Sequence, residues 1–270
     1  MTANKMYKVE RRKKILELIK RNGRATVEEL SNSFGVSGVT VRGDLNELYS
    51  QGEIERVFGG AILLDKESKP EIPFTLRKKR QQTEKKSIAK VAAHLINDGD
   101  VIFLEGTTTI AEMAPHLIPK HDLTVITNSL EIAYQLAISS NVNVITIGGR
   151  LKRETLTLVG YSFDNILKEI NIGKAFISAA GFTIEDGLTD ISPEEITLLR
   201  RVIEMSKEVI ALIDSTKWGK VSLIPLLETH KNGTIISDFA APQSMVKLAN
   251  ELGIRTIIAS TSDTSNQSTS

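Results

Sequence analysis

The chain has 270 residues, with 34 lysines and arginines against 33 aspartates and glutamates, and it contains no cysteine. That length favours two domains, and without thiols neither a disulfide framework nor a thiolate metal site is available, which points to a reducing cytoplasm. The opening MTANKMYKVERRKK lacks the apolar core of a secretion signal and no later run is long enough to span a bilayer, so a soluble protein without membrane association is expected.

The near-zero net charge conceals a division. Residues 1–86 carry 19 basic and 12 acidic side chains, a balance of +7, whereas residues 87–270 carry 15 and 21, a balance of −6. Any polyanion binding therefore belongs to the N-terminal part.

Residues 12–21 place Ile15, Leu16, Leu18 and Ile19 on one face of a helix among basic neighbours. The stretch 26–48, TVEELSNSFGVSGVTVRGDLNEL, reads as two short helices joined by a tight turn. Thr26 and Glu29 have capping-box spacing, Val27, Leu30 and Phe34 share a face, and Gly35 permits the left-handed residue that ends such a helix. Ser37 then caps a second helix whose Val41, Leu45 and Leu48 point inward. Thr40, Arg42, Gly43 and Asn46 are left outward, the pattern of a helix offered to DNA. After Gly52, the run EIERVFGGAIL reads as a two-stranded wing carrying Arg56. The first domain is expected to span 1–64, followed by a charged linker over 65–86 with Pro70 and Pro73.

From residue 87 to 260 short apolar, often β-branched runs (101–104, 123–127, 142–147, 175–180, 209–214, 234–237 and 256–259) alternate with helical stretches at 110–117, 130–138, 194–205 and 244–252. This predicts an α/β domain with a mainly parallel sheet covered on both faces. The last ten residues, 261–270, are polar and low in complexity, and disorder is expected there.

In an open sheet of this kind ligands gather at the carboxyl ends of the strands. Those ends carry Glu105, Gly106, Thr107, Thr108 and Thr109 opening a helix, then Asn128 and Ser129, then Gly148, Gly149 and Arg150 with Lys152 and Arg153, and finally Asp214, Ser215, Thr216 and Lys217. Backbone N–H groups and a helix dipole at the threonine run would cradle a phosphate. Hydroxyls, amides and a few cations suit a small phosphorylated polyol. Each piece has a plainer reading as a helix cap or turn. The sequence holds no GxxxxGK[ST], GxGxxG after the first strand, HExxH or GxSxG motif, and His94, His116, His121 and His230 have no ligand spacing. Neither a cofactor nor a metal is expected.

The segments VSGVTVRGDLNELYSQGEIERVFGGA (36–61), TNSLEIA, GGRLKRETLTLVG, KAFISAAGFTIEDGLTD and IDSTKWGK, in this order, resemble those of DeoR-type transcriptional regulators over residues 8–258. The resemblance implies a winged helix-turn-helix joined to a sensor domain similar in fold to ribose-5-phosphate isomerase. It further implies a repressor of a carbohydrate operon, not an enzyme, that binds double-stranded operator DNA as a homodimer or homotetramer and answers to a phosphorylated sugar. Ser37, Thr40 and Arg42 match the family's DNA-facing positions. Asn128, Gly149, Asp214 and Lys217 match its sensor pattern, and either Glu194 or Glu195 matches an acidic position. Two departures stand out: Gly43 replaces a second arginine after Arg42, and the acid expected at position 104 is Leu104, so that Glu105 substitutes for it or the contact is lost. The competing reading is a sugar-phosphate isomerase or related enzyme fused to a DNA-binding module.

Overall fold

The computed structural model describes residues 7–22, 24–51, 53–57, 59–63, 72–160, 167, 169–229 and 233–260. The tail 261–270, Gly52, Leu64 and the 65–71 part of the expected linker lie outside the described residues. The chain divides into two compact units, Met1–Ile72 and Pro73–Ser270.

In the smaller unit, α1 (Lys8–Asn22) is followed by β1 (Arg24–Thr26), α2 (Val27–Phe34), α3 (Gly38–Ser50), β2 (Ile54–Val57) and β3 (Gly60–Leu63). The predicted capping box forms: Glu29 N donates to Thr26 Oγ1 at 3.1 Å and Thr26 N donates to Glu29 Oε2 at 2.7 Å. Gly35, at φ 61°, closes α2 in the left-handed conformation. Ile15, Ile19, Leu30, Val41, Leu45, Leu48 and Ile54 form the core. The wing strands pair antiparallel, and β1, which the sequence reading missed, adds to β3. Under this core Asp44, 1% exposed, accepts from Arg11 Nε at 2.6 Å and Arg12 Nε at 3.1 Å, so α3 is fastened to α1 by charge as well as by packing.

The larger unit opens with α4 (Phe74–Lys78) and α5 (Gln82–Ala93). The part of the expected linker from residue 73 to 86 thus carries α4 and the first turn of α5 and belongs to this unit. There follow β4 (Val101–Leu104), α6 (Thr108–Ala111), α7 (Ala114–Leu117), β5 (Leu123–Thr127), α8 (Leu130–Leu136), β6 (Val142–Thr146), β7 (Arg150–Lys152), β8 (Thr157–Val159) and β9 (Lys174–Ile177). The unit continues through β10 (Gly181–Thr183), β11 (Gly187–Asp190), α9 (Pro193–Met205), β12 (Glu208–Leu212), β13 (Ile224–Leu227), β14 (Thr234–Asp238), α10 (Gln243–Glu251) and β15 (Arg255–Ala259).

Seven strands form one parallel sheet in the order β15-β14-β12-β9-β4-β5-β6. Successive residues of a strand enter different apolar layers: Phe103, Ile126 and Ile177 on one face, and Ile102, Leu104, Val125 and Phe176 on the other. Both faces are therefore covered, as the unbroken apolar runs require. The strand order runs outward from β4 through β5 to β6, then resumes at β9 on the other flank of β4. The sheet thus has its topological switch point between β4 and β9, where α/β sheets open a crevice for ligands. Two additions were not read from sequence: the β7–β8 hairpin and a small antiparallel sheet, β10-β11-β13.

Candidate anion site and nucleic-acid interface

At the switch point Glu105 directly follows β4, is 6% exposed, and its Oε2 accepts the Ser178 N–H that follows β9, at 2.5 Å. Burial pushes the Glu105 carboxyl well above the usual carboxylate range, and the charge of Asp190 adds to the shift against the Ser178 hydrogen bond. Glu105 is therefore the acid that stands at this strand end, and its main-chain N–H is itself tied to Phe176 O at 3.1 Å.

The threonine-rich loop differs from the expected cradle. Gly106 N donates to Asn128 Oδ1 at 3.0 Å and Thr107 N donates to Glu105 O at 2.8 Å, so both N–H groups are already engaged. The helix that opens there, α6, has only four residues, and its dipole is correspondingly small. Gly106 has a packing reason for being glycine, since a Cβ would meet Thr157 Cγ2 at 2.3 Å. Thr108 and Thr109 are buried, while Thr107 Oγ1 is buried with no hydrogen-bond partner among the described residues. Gly149 sits under the β8 backbone, where a Cβ would meet Val159 O at 2.4 Å, so packing accounts for it as well.

Cations supply what the loop does not. Asp214, 3% exposed, follows β12 and caps a single 3-10 turn, Ser215–Lys217, by accepting from Thr216 N at 3.0 Å. Lys217 at the end of that turn is held below the ordinary lysine range, by burial first, with Asp214 and Asp190 opposing. Two further cations come from the segment taken for linker. Lys85 on α5 is 5% exposed, donates from Nζ to Arg77 O at 2.6 Å, and is pushed down to about 8 by burial, with Asp214 opposing and Lys217 and Arg77 reinforcing. Arg77 on α4 acts electrostatically on Lys85, Lys217 and Glu105 alike. Its Nε and Nη2 are buried with no hydrogen-bond partner among the described residues. Buried guanidinium donors left unmatched are costly, and an anion between them and the two lysines would satisfy them.

The β7–β8 hairpin frames this site. Phe74 N donates to Glu154 O at 2.6 Å, Leu158 N to Asn128 O at 2.7 Å, and Thr157 Oγ1 to Glu195 Oε1 at 2.6 Å. Lys152 donates to Ser192 Oγ at 2.9 Å and reaches Glu195 at 3.5 Å, so it braces the hairpin against α9. Of the two adjacent acids, Glu195 faces this framework and acts on Glu105, whereas Glu194 pairs with exposed Arg150 at 2.7 Å.

In the smaller unit Ser37 Oγ accepts from Thr40 N at 3.2 Å and lies 3.0 Å from Thr40 Oγ1, so these hydroxyls first serve the start of α3. Arg42 and Asn46 are exposed on α3. Arg56 lies on β2, and its side chain falls outside the described residues. Sequence reasoning missed Val39, which is 76% exposed at the start of α3. It also missed Arg77 and Lys85. The available signal was that Lys85 continues the stripe Ile88, Ala89, Ala92 and Ile96 by one turn toward the N-terminus, and these residues are buried.

Residues 11–67 match the family model of the DeoR-like helix-turn-helix domain, and residues 80–239 match that of the DeoR C-terminal sensor domain. The chain is 34% identical over 244 residues to the HTH-type transcriptional regulator IolR of Bacillus subtilis, covering 90% of this chain and 96% of that protein. It is likewise 34% identical over 253 residues to the HTH-type transcriptional repressor GlcR of the same organism, covering 94% and 97%. Among solved structures, ribose 5-phosphate isomerase A from Neisseria gonorrhoeae is a distant likeness, with TM-score 0.39, 15% identity, and coverage of 53% of this chain and 56% of that one. No helix of the described residues is long and apolar enough to cross a membrane.

Proposed function

The chain belongs to the DeoR family of transcriptional regulators, and from that premise we propose that it is a cytoplasmic repressor of a carbohydrate operon whose hold on DNA is set by a phosphorylated sugar. In this reading residues 1–64 bind operator DNA, with α3 in the major groove and the wing, including Arg56, meeting phosphates. Residues 87–260 sense the sugar phosphate, and Arg77 and Lys85 from the segment before them join the site. One such module offers few base contacts, so a homodimer or homotetramer is the working form.

The observation that carries the effector half is half-buried Arg77, whose Nε and Nη2 are buried and unmatched among the described residues and whose charge acts on Lys85, Lys217 and Glu105. Three cations, one buried and two half-buried, call for a multiply charged anion, and a phosphate monoester is the common metabolite of that kind. Glu105, Thr107 and Asp214 supply acceptor and donor groups for the polyol. Thr108, Thr109, Asn128, Gly149 and Lys152 shape and brace the walls.

A thermal-shift screen of the full chain against sugar phosphates and the matching free sugars tests this, because a ligand that binds only the folded state raises its apparent stability. A phosphorylated sugar should stabilise the protein where its unphosphorylated partner does not. Lys217→Ala should abolish that shift and the effector's influence on DNA binding while leaving binding in its absence intact. An equal response in the variant would remove Lys217 from the site, and turnover of the sugar phosphate would favour an enzyme.

A further inference from the structure

The residues of α3 exposed after its cap are Val39, Arg42, Gly43 and Asn46. Their spacing of i, i+3, i+4 and i+7 puts them on one face. Two of the four have no reason in the fold. Val39 is 76% exposed, and a β-branched side chain on an open helix surface gains nothing from packing. Gly43 lies inside the helix, where it disfavours the helical state, yet its φ is not among the positive ones and, apart from the neighbouring backbone of its own helix, no heavy atom of the described residues lies within 4 Å of where its Cβ would be. Any ordinary helix former would fit there. An apolar side chain beside a bare stretch of backbone, one turn apart on the same face, forms a shallow apolar notch with Asn46 just beyond it.

Resting on the reading of α3 as the helix that enters the major groove, we infer that Val39 and Gly43 together recognise the 5-methyl group of a thymine. That methyl is the one apolar feature a base pair presents in the major groove, and side-chain methyl groups are its usual contact. The missing side chain at Gly43 lets the base edge come close to the helix backbone, and Val39 covers the methyl from the side. Asn46 suits the adjacent requirement, since an amide matches the N6 and N7 edge of adenine. The notch therefore takes an A·T-containing step, while Arg42 at the flank suits guanine.

The test uses the full chain and a random duplex library. After selection, each thymine of the best-bound duplex is replaced in turn by deoxyuridine, which removes only the methyl group. With the unaltered protein, one thymine in each half-site should lose about fourfold in affinity on replacement, the effect of one buried methyl group. With Val39→Ser, whose exposed position leaves the fold intact, the thymine and deoxyuridine duplexes should bind equally. The inference is overturned if no replacement weakens binding, or if the loss is as large in the variant as in the unaltered protein. If selection enriches no sequence at all, the assignment of α3 as the DNA-reading helix fails and the inference goes with it.

Discussion

Lys85 Nζ donates to the main-chain oxygen of Arg77 at 2.6 Å, so a buried lysine on α5 fixes the backbone of α4 from which the Arg77 guanidinium projects. Two cations of the proposed site are thereby placed relative to each other, and the order is paid for by Lys85 itself, whose ammonium gives up water.

That cost has a measurable sign. Burial holds Lys85 down at about 8 in the folded protein, against 10.5 for a free lysine. A phosphate placed beside it favours the charged form and raises that value. Above about pH 8 the complex therefore holds more protons than the free protein, so binding takes up protons and weakens as pH rises past that value toward the raised one. Calorimetry of the sugar phosphate from the thermal-shift screen, in two buffers of different ionisation enthalpy at pH 8.5, should show this uptake. Lys85→Met should reduce it, leaving only what Lys217 contributes, and should lose most of the affinity. Identical heats in the two buffers for the unaltered protein would remove Lys85 from contact with the anion.

Glu105 makes a second titration prediction of opposite chemistry. Its carboxyl is raised well above 4.5 in the folded state, so the folded protein binds this proton more tightly than the unfolded chain does. The resulting stability is fully present below the unfolded value and is lost as pH rises toward the folded one. Glu105→Gln keeps an acceptor for Ser178 N–H and cannot ionise. Its melting temperature relative to the unaltered protein should therefore climb as pH increases from about 4.5 toward neutrality. A difference that stays constant with pH would mean the carboxyl is not held neutral.

Asp44 should be the most sensitive position of the smaller unit. Replacing it with alanine leaves Arg11, whose side chain is 11% exposed, without the carboxylate that neutralises it. Removing one partner of a buried ion pair costs about 3 to 5 kcal/mol. Hydrogen exchange at the amides of α1 and α3 should accelerate accordingly, and DNA binding should fall with it, while the thermal response to sugar phosphate persists.

Arg42→Ala should act on specificity. Loss of one bidentate guanine contact reduces discrimination by about 1 to 3 kcal/mol. Competition between the selected duplex and unrelated DNA should narrow by that amount. An unchanged ratio would assign base reading to other residues.

The helix pair was legible because every signal in it is local: the Thr26 and Glu29 cap, Gly35 as the stop, and Val41, Leu45 and Leu48 at helical spacing all act within a few residues of chain. The sheet was legible because strands covered on both faces read as unbroken apolar runs, as in 101–104 and 123–127. The β7–β8 hairpin was hidden, since its residues earn their place through partners far along the chain, such as Glu195 for Thr157. Arg77 and Lys85 were hidden for a different reason. In sequence they belong to a charged, proline-flanked stretch that looks solvated, and only the docking of α5 against β12, β14 and β15 brings Lys85 out of water.

The position of Arg77 bears on how such a protein signals. It lies on α4, the first element after the boundary at Ile72, and α4 is moored to the rest of its unit through Phe74 to Glu154 and Lys78 to Glu131. An anion that draws on Arg77 acts on the stretch of polypeptide that continues directly into the DNA-binding unit. By thermodynamic reciprocity, if the anion changes the hold on operator DNA then DNA changes the affinity for the anion by the same factor, and that change should be readable in a binding measurement made with and without DNA.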